Sequence, residues 1–419
     1  MLAATASFRP ILLAAMFMMM GHGLTSTALS VRLAQLDASA QIAGLVTTAY
    51  FLGMVVGTRF GHRLLLRTGH IRGFAATVAG AGLSILMLPI IPDPVAWIIF
   101  RFIGGVCIVL ALLVLESWLN IAADNAVRGS VFGAYMVVVY VGMTVGQAVL
   151  GVLDVGSFEA FSIAAIAMML AVQPLAFTRL SQPVLPPSAR LRLIDLVRIS
   201  PVGIAAAVGS GALTGAMFGL FPFYASSVGL SAGGIAVFMS AVIGGGLVLN
   251  GPLGWLSDRV DRRFVVVAAA AVIIGASIVL ALGDQNIGTL VWAGGLIGGV
   301  TAALYSLGVA HTNDQVGGGD AIAVGAGLLL AFGVGAIVGP ILASAAMDWT
   351  GAIALFAYTG LIGLCLLALT IYRLASKAAV SPEEKGDFVT LSGAAPAAFV
   401  VDPGAAETPD ESGIDNPPT

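Results

Sequence analysis

Arg101 and Glu116 bracket an otherwise apolar run at 101–120, RFIGGVCIVLALLVLESWLN. On an α-helix the two stand ~22 Å apart along the axis and only ~60° apart around it. One helix face therefore carries a cation and a carboxyl group, and the residues between them are Ile, Val, Leu, Phe, Ala, Cys and Gly. An ionisable side chain inside a membrane costs roughly 2.5–3.5 kcal/mol on insertion scales, so two on one face mark a face turned to water or to partners. A guanidinium keeps its proton, so the chemistry open to Arg101 is pairing with a carboxylate, from a neighbour or a solute, through two parallel hydrogen bonds. Glu116 can pair with an arginine or carry a proton. His22, in Met20-Gly21-His22-Gly23, adds the side chain that titrates nearest neutrality. Structural alternatives stand beside these. Arg101 lies early in its run and could snorkel to the outer interface, and His22 could be a neutral imidazole satisfied by a neighbouring helix.

The composition says what kind of helices must hold these groups. Hydrophobic residues make up 59% of the 419-residue chain and charged residues 9%, against about 25% charged in soluble domains. Glycine occurs 54 times. In water so many would weaken helices, whereas in a bilayer small residues let helix backbones approach closely. An all-α, multi-pass membrane protein follows, with the lipid bilayer as its first partner. Cys107 and Cys365 fall inside apolar runs without disulfide or metal spacing, so no metal site and no cofactor are expected.

A bilayer is crossed by about twenty mainly apolar residues. Twelve such spans are expected, at about 10–32, 41–60, 73–92, 94–119, 129–153, 158–179, 200–225, 231–253, 264–283, 286–311, 320–345 and 350–373. The first begins after Arg9 like a signal peptide. Its apolar stretch continues through His22 and Gly23 with no clear cleavage site, so it reads as a retained span. An even count puts both termini on one side. Of the 18 basic residues, only Arg32 falls in a loop on the other side and only Arg101 within a span. The positive-inside rule makes the basic side the cytoplasm.

A proline-rich, then basic stretch at 181–199 separates a half at 1–180 from a half at 200–374, each with six spans. Residues 375–419 are rich in Ala, Pro, Gly and acid, and are expected to form a disordered cytoplasmic tail. The halves repeat. Gly142 and Gly146 recur as Gly335 and Gly339, and Arg67 as Arg259. Glu116-Ser117-Trp118-Leu119-Asn120 recurs as His311-Thr312-Asn313-Asp314-Gln315. Two pseudo-symmetric six-helix halves around a central cavity form the architecture of alternating-access carriers, which bind solute between the halves.

The most specific motif is Gly254-Trp255-Leu256-Ser257-Asp258-Arg259-Val260-Asp261-Arg262-Arg263. It resembles the loop motif of the major facilitator superfamily: glycine, three residues, Asp-Arg, one residue, glycine, then two basic residues. Asp261 stands where that motif has its second glycine. The first-half copy keeps Arg67 and Gly69 but has Leu66 in place of the aspartate. Glu116-Ser117-Trp118-Leu119-Asn120, Gly219-Leu220-Phe221-Pro222-Phe223-Tyr224-Ala225 and His311-Thr312-Asn313-Asp314 look like a bacterial YcaD-like subgroup. That resemblance implies a topology and a place in the bacterial inner membrane, and it brings no substrate.

The loop motif implies gating. Arg63 or Arg67, beside Gly69, is expected to pair with Glu116 when the cytoplasmic side closes. By repeat, Asp258 or Arg259, with Arg262 and Arg263 next to them, engages the end of span 10 near His311 and Asp314. A pair made in one state and broken in the other biases the equilibrium by its differential energy. Arg101 resembles the superfamily's fourth-span arginine, linked to proton coupling or to an anionic substrate. Tyr50, Tyr140, Gln147, Tyr224, Asn250 and Tyr305 are further candidates to line the cavity, or else ordinary packed residues. Gly142, Gly146 and Gly151 resemble the fifth-span motif of proton antiporters, with Gln147 at its proline position, while the repeat Gly335, Gly339, Pro340 keeps the proline. These glycines serve close helix packing.

The expected function is secondary transport of a small solute, proton-coupled, with efflux by antiport preferred. Symport of an organic metabolite and a non-transporting sensor with a carrier fold are the rivals. No glycine-rich loop ends in Lys-Ser/Thr, so no nucleotide partner is expected. Nor is a nucleic-acid partner, and the expected state is a monomer. The few ionisable residues are scattered rather than clustered at one depth, so an enzyme is not expected.

Overall fold

The computed structural model describes residues 8–122, 125–155, 157–178, 193–316 and 321–376, with Phe388 and Leu391. Side chains at 62, 63, 65, 66, 121–128, 193–195 and 321–323 lie outside the described set, Arg63 among them. Most of the expected linker and tail lies outside it too. The linker's end is a short helix, Leu193–Ile199, whose Leu196 packs on Gly327.

Every regular element among the described residues is helical. Twelve of these helices are long and apolar enough to cross a membrane. In order they are Arg9–Gln35, Ala40–Gly61, His70–Ile90, Pro94–Asn120, Gly129–Leu150, Phe158–Ala176, Pro201–Ser227, Ala232–Arg259, Arg262–Leu282, Ile287–Val316, Val324–Thr350 and Ala354–Ser376. We number them spans 1–12. Their ends are set by local chemistry. Pro10 and Pro201 occupy first-turn positions, where a missing N–H is harmless. Ser231 and Asp261 cap spans 8 and 9 by accepting from the N–H of Gly234 and Arg263. Gly69, at φ 72°, turns the chain directly from the span 2 helix into span 3, a backbone state that glycine adopts without penalty.

Spans 8 and 10 outrun the expected apolar stretches and end at Arg259 and Val316. A helix satisfies its own backbone hydrogen bonds, so it continues past the hydrocarbon into polar surroundings. The expected gating residues Asp258, His311 and Asp314 thus stand on helix ends rather than in loops.

The repeat is visible in the packing. Span 2 lies on span 4, with Gly53 against Phe102 and Gly105 against the Tyr50 carbonyl. Span 8 lies on span 10, with Gly245 against Gly295 and Gly298 against Val242. Gly142 and Gly146 fit span 5 onto the carbonyls of Met16 and Met20 in span 1. Gly335 and Gly339 fit span 11 onto Val208 and Ala212 of span 7, and Pro340 packs on Gly215. Absent side chains bring backbones into dispersion contact, which drives helix association where lipid offers no hydrophobic gain.

Between the halves, contact is made at the end away from the arginine-rich loops. The Asp348 carboxylate on span 11 accepts from the N–H groups of Ala40 and Gln41, at 3.0 and 3.1 Å, at the start of span 2. Gly44 lies against Pro340 and Ser344, and Gly151 against Ala236. Nearer the middle, Thr48 Oγ1 donates to the Ile337 carbonyl at 2.9 Å.

Candidate functional site

A cavity lies between the halves at mid-depth. The first half contributes His22, Ser26 and Ser30 from span 1, Thr47 and Tyr50 from span 2, Arg101 from span 4, and Tyr140 and Met143 from span 5. Across from them are Ser210, Thr214 and Phe218 from span 7, Gly246 from span 8, Thr301 and Tyr305 from span 10, and Phe332 from span 11.

Arg101 is the cation of this cavity. Gly105, one turn further along span 4, touches the Tyr50 backbone, so the two helices meet closely enough for Arg101 to reach over the Tyr50 ring. The guanidinium carbon lies 4.3 Å from the ring centroid. His22 stacks on the same tyrosine, with centroids 5.2 Å apart and planes 22° apart. The Tyr50 hydroxyl stands 3.5 Å from His22 Nε2. Arg101 is 9% exposed, forms no ion pair with any described carboxylate, and its Nε has no hydrogen-bond partner. It does not snorkel to the interface; it sits in the cavity wall.

Of the sequence candidates, His22, Tyr50, Arg101, Tyr140 and Tyr305 line this cavity. Tyr224 and Gln147 do not. The Tyr224 hydroxyl donates to Gln285 Oε1, and its ring packs edge-on to Phe356 within the second half. Gln147 donates from Nε2 to the Gly23 carbonyl at 3.0 Å, strapping span 5 to span 1. Asn250 is buried beside Tyr140 rather than at the cavity surface. The hydroxyls of Ser26, Ser30, Ser210, Thr214 and Thr301 were missed. Their signal was in the spacing: His22, Ser26 and Ser30, then Ser210 and Thr214, then Thr301 and Tyr305, all recur at four-residue steps along one helix face.

Glu116 lies deeper in its own half, toward the basic end. The Tyr135 hydroxyl donates to its Oε1 at 3.0 Å, and Oε2 has no partner. Arg67, expected as its latch, is exposed. The same region holds His70, whose Nε2 is 3.2 Å from Ser117 Oγ.

In the second half, of the expected residues Asp258, Arg259, Arg262 and Arg263, it is Arg262 that reaches the end of span 10. Its Nε donates to Asp314 at 2.7 Å, and Nη1 to Ser257 and Asp258 at 3.0 and 3.1 Å. The reason is a turn at Val260-Asp261, which starts span 9 so that Arg262 points back at the ends of spans 8 and 10. Arg259 instead lies 3.7 Å over the exposed Trp255 ring. Arg263 forks onto Asp261, at 2.6 Å for Nη2, and donates to the Arg373 carbonyl. Burial pushes the Asp261 carboxyl up, but hydrogen bonds and charge from Arg263 outweigh this and hold it below the usual aspartate range. His311 is buried, 2.9 Å from Gln315.

Among the described residues no group of three or more His, Cys, Asp or Glu side chains could hold a metal. The arrangement offers one buried cation, one imidazole, hydroxyls and apolar surface. All of these, among the described residues, face the space between the halves.

Known proteins agree with this geometry. A family model described as Major Facilitator Superfamily matches residues 11–250 and 202–403. An uncharacterized MFS-type transporter of Yersinia pestis is 26% identical over 307 residues, covering 73% of this chain and 79% of the relative. The uncharacterized MFS-type transporter YcaD of Escherichia fergusonii is 26% identical over 306 residues, covering 71% and 77%. Among solved structures, a mutant of the nucleoside transporter NupG superposes with a TM-score of 0.72 at 13% identity, over 87% of this chain and 99% of that one. A structure concerned with substrate recognition in proton dependent oligopeptide transporters gives 0.69 at 14% identity, over 89% and 98%. With twelve apolar helices in two repeated halves, a cavity between them and a family model covering both, this chain belongs to the Major Facilitator Superfamily.

Proposed function

We propose that this transporter is a secondary carrier of small amphipathic organic anions, and that Arg101 is the group that holds their acid end. The observation that carries this reading is a buried guanidinium in the cavity wall with no described carboxylate paired to it. An uncompensated buried charge is unfavourable by several kcal/mol, and an anionic solute relieves it. Tyr50 covers one face of the guanidinium and leaves its donors for a planar carboxylate. Met143, Phe218 and Phe332 suit an apolar body, and the hydroxyls of spans 1, 7 and 10 suit its polar substituents.

In this reading the arginine-rich loops and both termini are cytoplasmic in a bacterial inner membrane. The halves then touch at their outer ends, which is the inward-open arrangement of an alternating-access cycle. Glu116, a buried carboxyl group without an arginine partner among the described residues, is the proposed proton carrier. His22, against the Tyr50 that Arg101 covers, links proton and solute. Export against inward proton flow is the proposed direction, on the apolar walls and the partial fifth-span motif at Gly142 and Gly146.

A thermal-shift screen of the purified protein tests the substrate class, with monocarboxylic acids set beside their amides and amines. A ligand that binds only the folded state raises its stability by about 2.7 kcal/mol at a hundredfold excess over Kd. Acids that stabilise while their amides and amines do not support the proposal. Stabilisation by amines alone would sink it.

A further inference from the structure

Two residues well beyond the last span lie inside the second half. Leu391 is buried, its N–H donates to Ser306 Oγ at 3.0 Å, and its carbonyl accepts from the same hydroxyl at 2.9 Å. Ser306 stands on span 10, next to the cavity-lining Tyr305. Phe388 lies over Gly254 on span 8, so close that any side chain there would strike its ring. It packs against the second half's apolar cluster, as do Leu249 and Leu253. One hydroxyl serving both backbone groups of Leu391 removes the penalty of burying them away from water. The bare backbone at Gly254 supplies room for an aromatic ring. The site is thus built on two helices for two apolar side chains, in a tail rich in Ala, Pro, Gly and acid.

We infer that the C-terminal tail docks in cis at the basic end of spans 8 and 10, through Phe388 and Leu391, and holds that end of the carrier open. Alternating access requires the two halves to meet there in the other half of the cycle. Glu116 to Asn120 on span 4 and His311 to Gln315 on span 10 are repeat partners at this end, so they are the surfaces that approach one another. Leu391, seated on Ser306 five residues before His311, occupies the helix that carries one of these two surfaces. Tethering makes the docking intramolecular, so modest contacts hold it, and its release is the step that permits closure. This inference is independent of the substrate class.

The test uses the full chain with Cys107→Ala and Cys365→Ala. The maleimide labelling rate of Leu391→Cys is compared with that of the same variant unfolded in SDS. Docking predicts labelling slowed about tenfold or more in the folded chain, and a return to within about twofold when Gly254→Leu fills the place of the Phe388 ring. Labelling at the unfolded rate with Gly254 intact, or no response to Gly254→Leu, overturns the docking. A second arm places cysteines at Asn120 and Gln315 and measures their cross-linking by a short bis-maleimide. If the docked tail opposes closure, Leu391→Asp raises the yield several-fold. An unchanged yield overturns the effect on closure.

Discussion

The Arg101 guanidinium lies 4.3 Å above the Tyr50 ring, and this contact exists because Gly105 lets span 4 touch the Tyr50 backbone. Position, charge and exposure of the cavity's cation all follow from that approach. A Gly105→Val change forces the helices apart at a backbone carbonyl that cannot yield. It should cost about 1–3 kcal/mol, as overpacking does. The check is a thermal melt in detergent, in which Gly104→Ala, facing the more pliable Ser84 side chain, loses less.

Arg262 and Arg259 are neighbours in one motif with unlike burdens. Arg262 is buried between Asp314, Asp258 and Ser257, so Arg262→Ala takes the guanidinium at 2.7 Å away from the buried Asp314 carboxylate and should destabilise by roughly 3–5 kcal/mol. Arg259→Ala removes a stack on an exposed tryptophan, worth about 0.5–1 kcal/mol. Melting both variants in parallel gives the order directly.

Sequence reasoning reached the fold because twelve apolar runs, glycine content and the placement of arginines are composition-level signals that no packing detail can reverse. Arg101 could not be assigned from sequence alone, since snorkelling and cavity placement differ only in how closely span 4 approaches span 2. The hydroxyl stripe from His22 through Ser30 was legible as a four-residue spacing, and single-residue reasoning passed over it. Arg262 was legible as one of the motif's basic residues, but that it and not Arg259 reaches Asp314 depends on where span 9 starts, a matter of one turn at Val260-Asp261. Tyr224 looked like a cavity residue by its helix and is instead satisfied within its own half by Gln285.

At the end away from the arginine-rich loops, Asp348 caps span 2 from the opposite half. Asp348→Ala removes a carboxylate from two helix-terminal N–H groups, a change of about 0.5–2 kcal/mol. In the proposed alternating-access cycle it should shift the population toward the state open at this end. A cysteine at Thr47, which lines the cavity near this seam, should then react faster with a membrane-impermeant reagent added from outside. An unchanged rate means that Asp348 does not secure this end.

The Asp261–Arg263 fork carries a pH signature. The folded-state pKa of Asp261 is below its unfolded value. Its contribution to stability is therefore complete above the ordinary aspartate range and is lost as pH falls through the lower folded value. Asp261→Asn should lower stability at neutral pH and leave the acid limb of the stability curve shallower. A melt series in acid buffers reads both effects.

The central claim is that Arg101 selects an acid group. The most direct measurement is the affinity, by calorimetry, of the best-stabilising acid and of its amide, for the native protein and for Arg101→Gln. The account predicts that the native protein prefers the acid by about tenfold or more, which is about 1.4 kcal/mol, and that Arg101→Gln binds the two alike. An amide that binds the native protein as tightly as the acid, or a preference that survives Arg101→Gln, contradicts it.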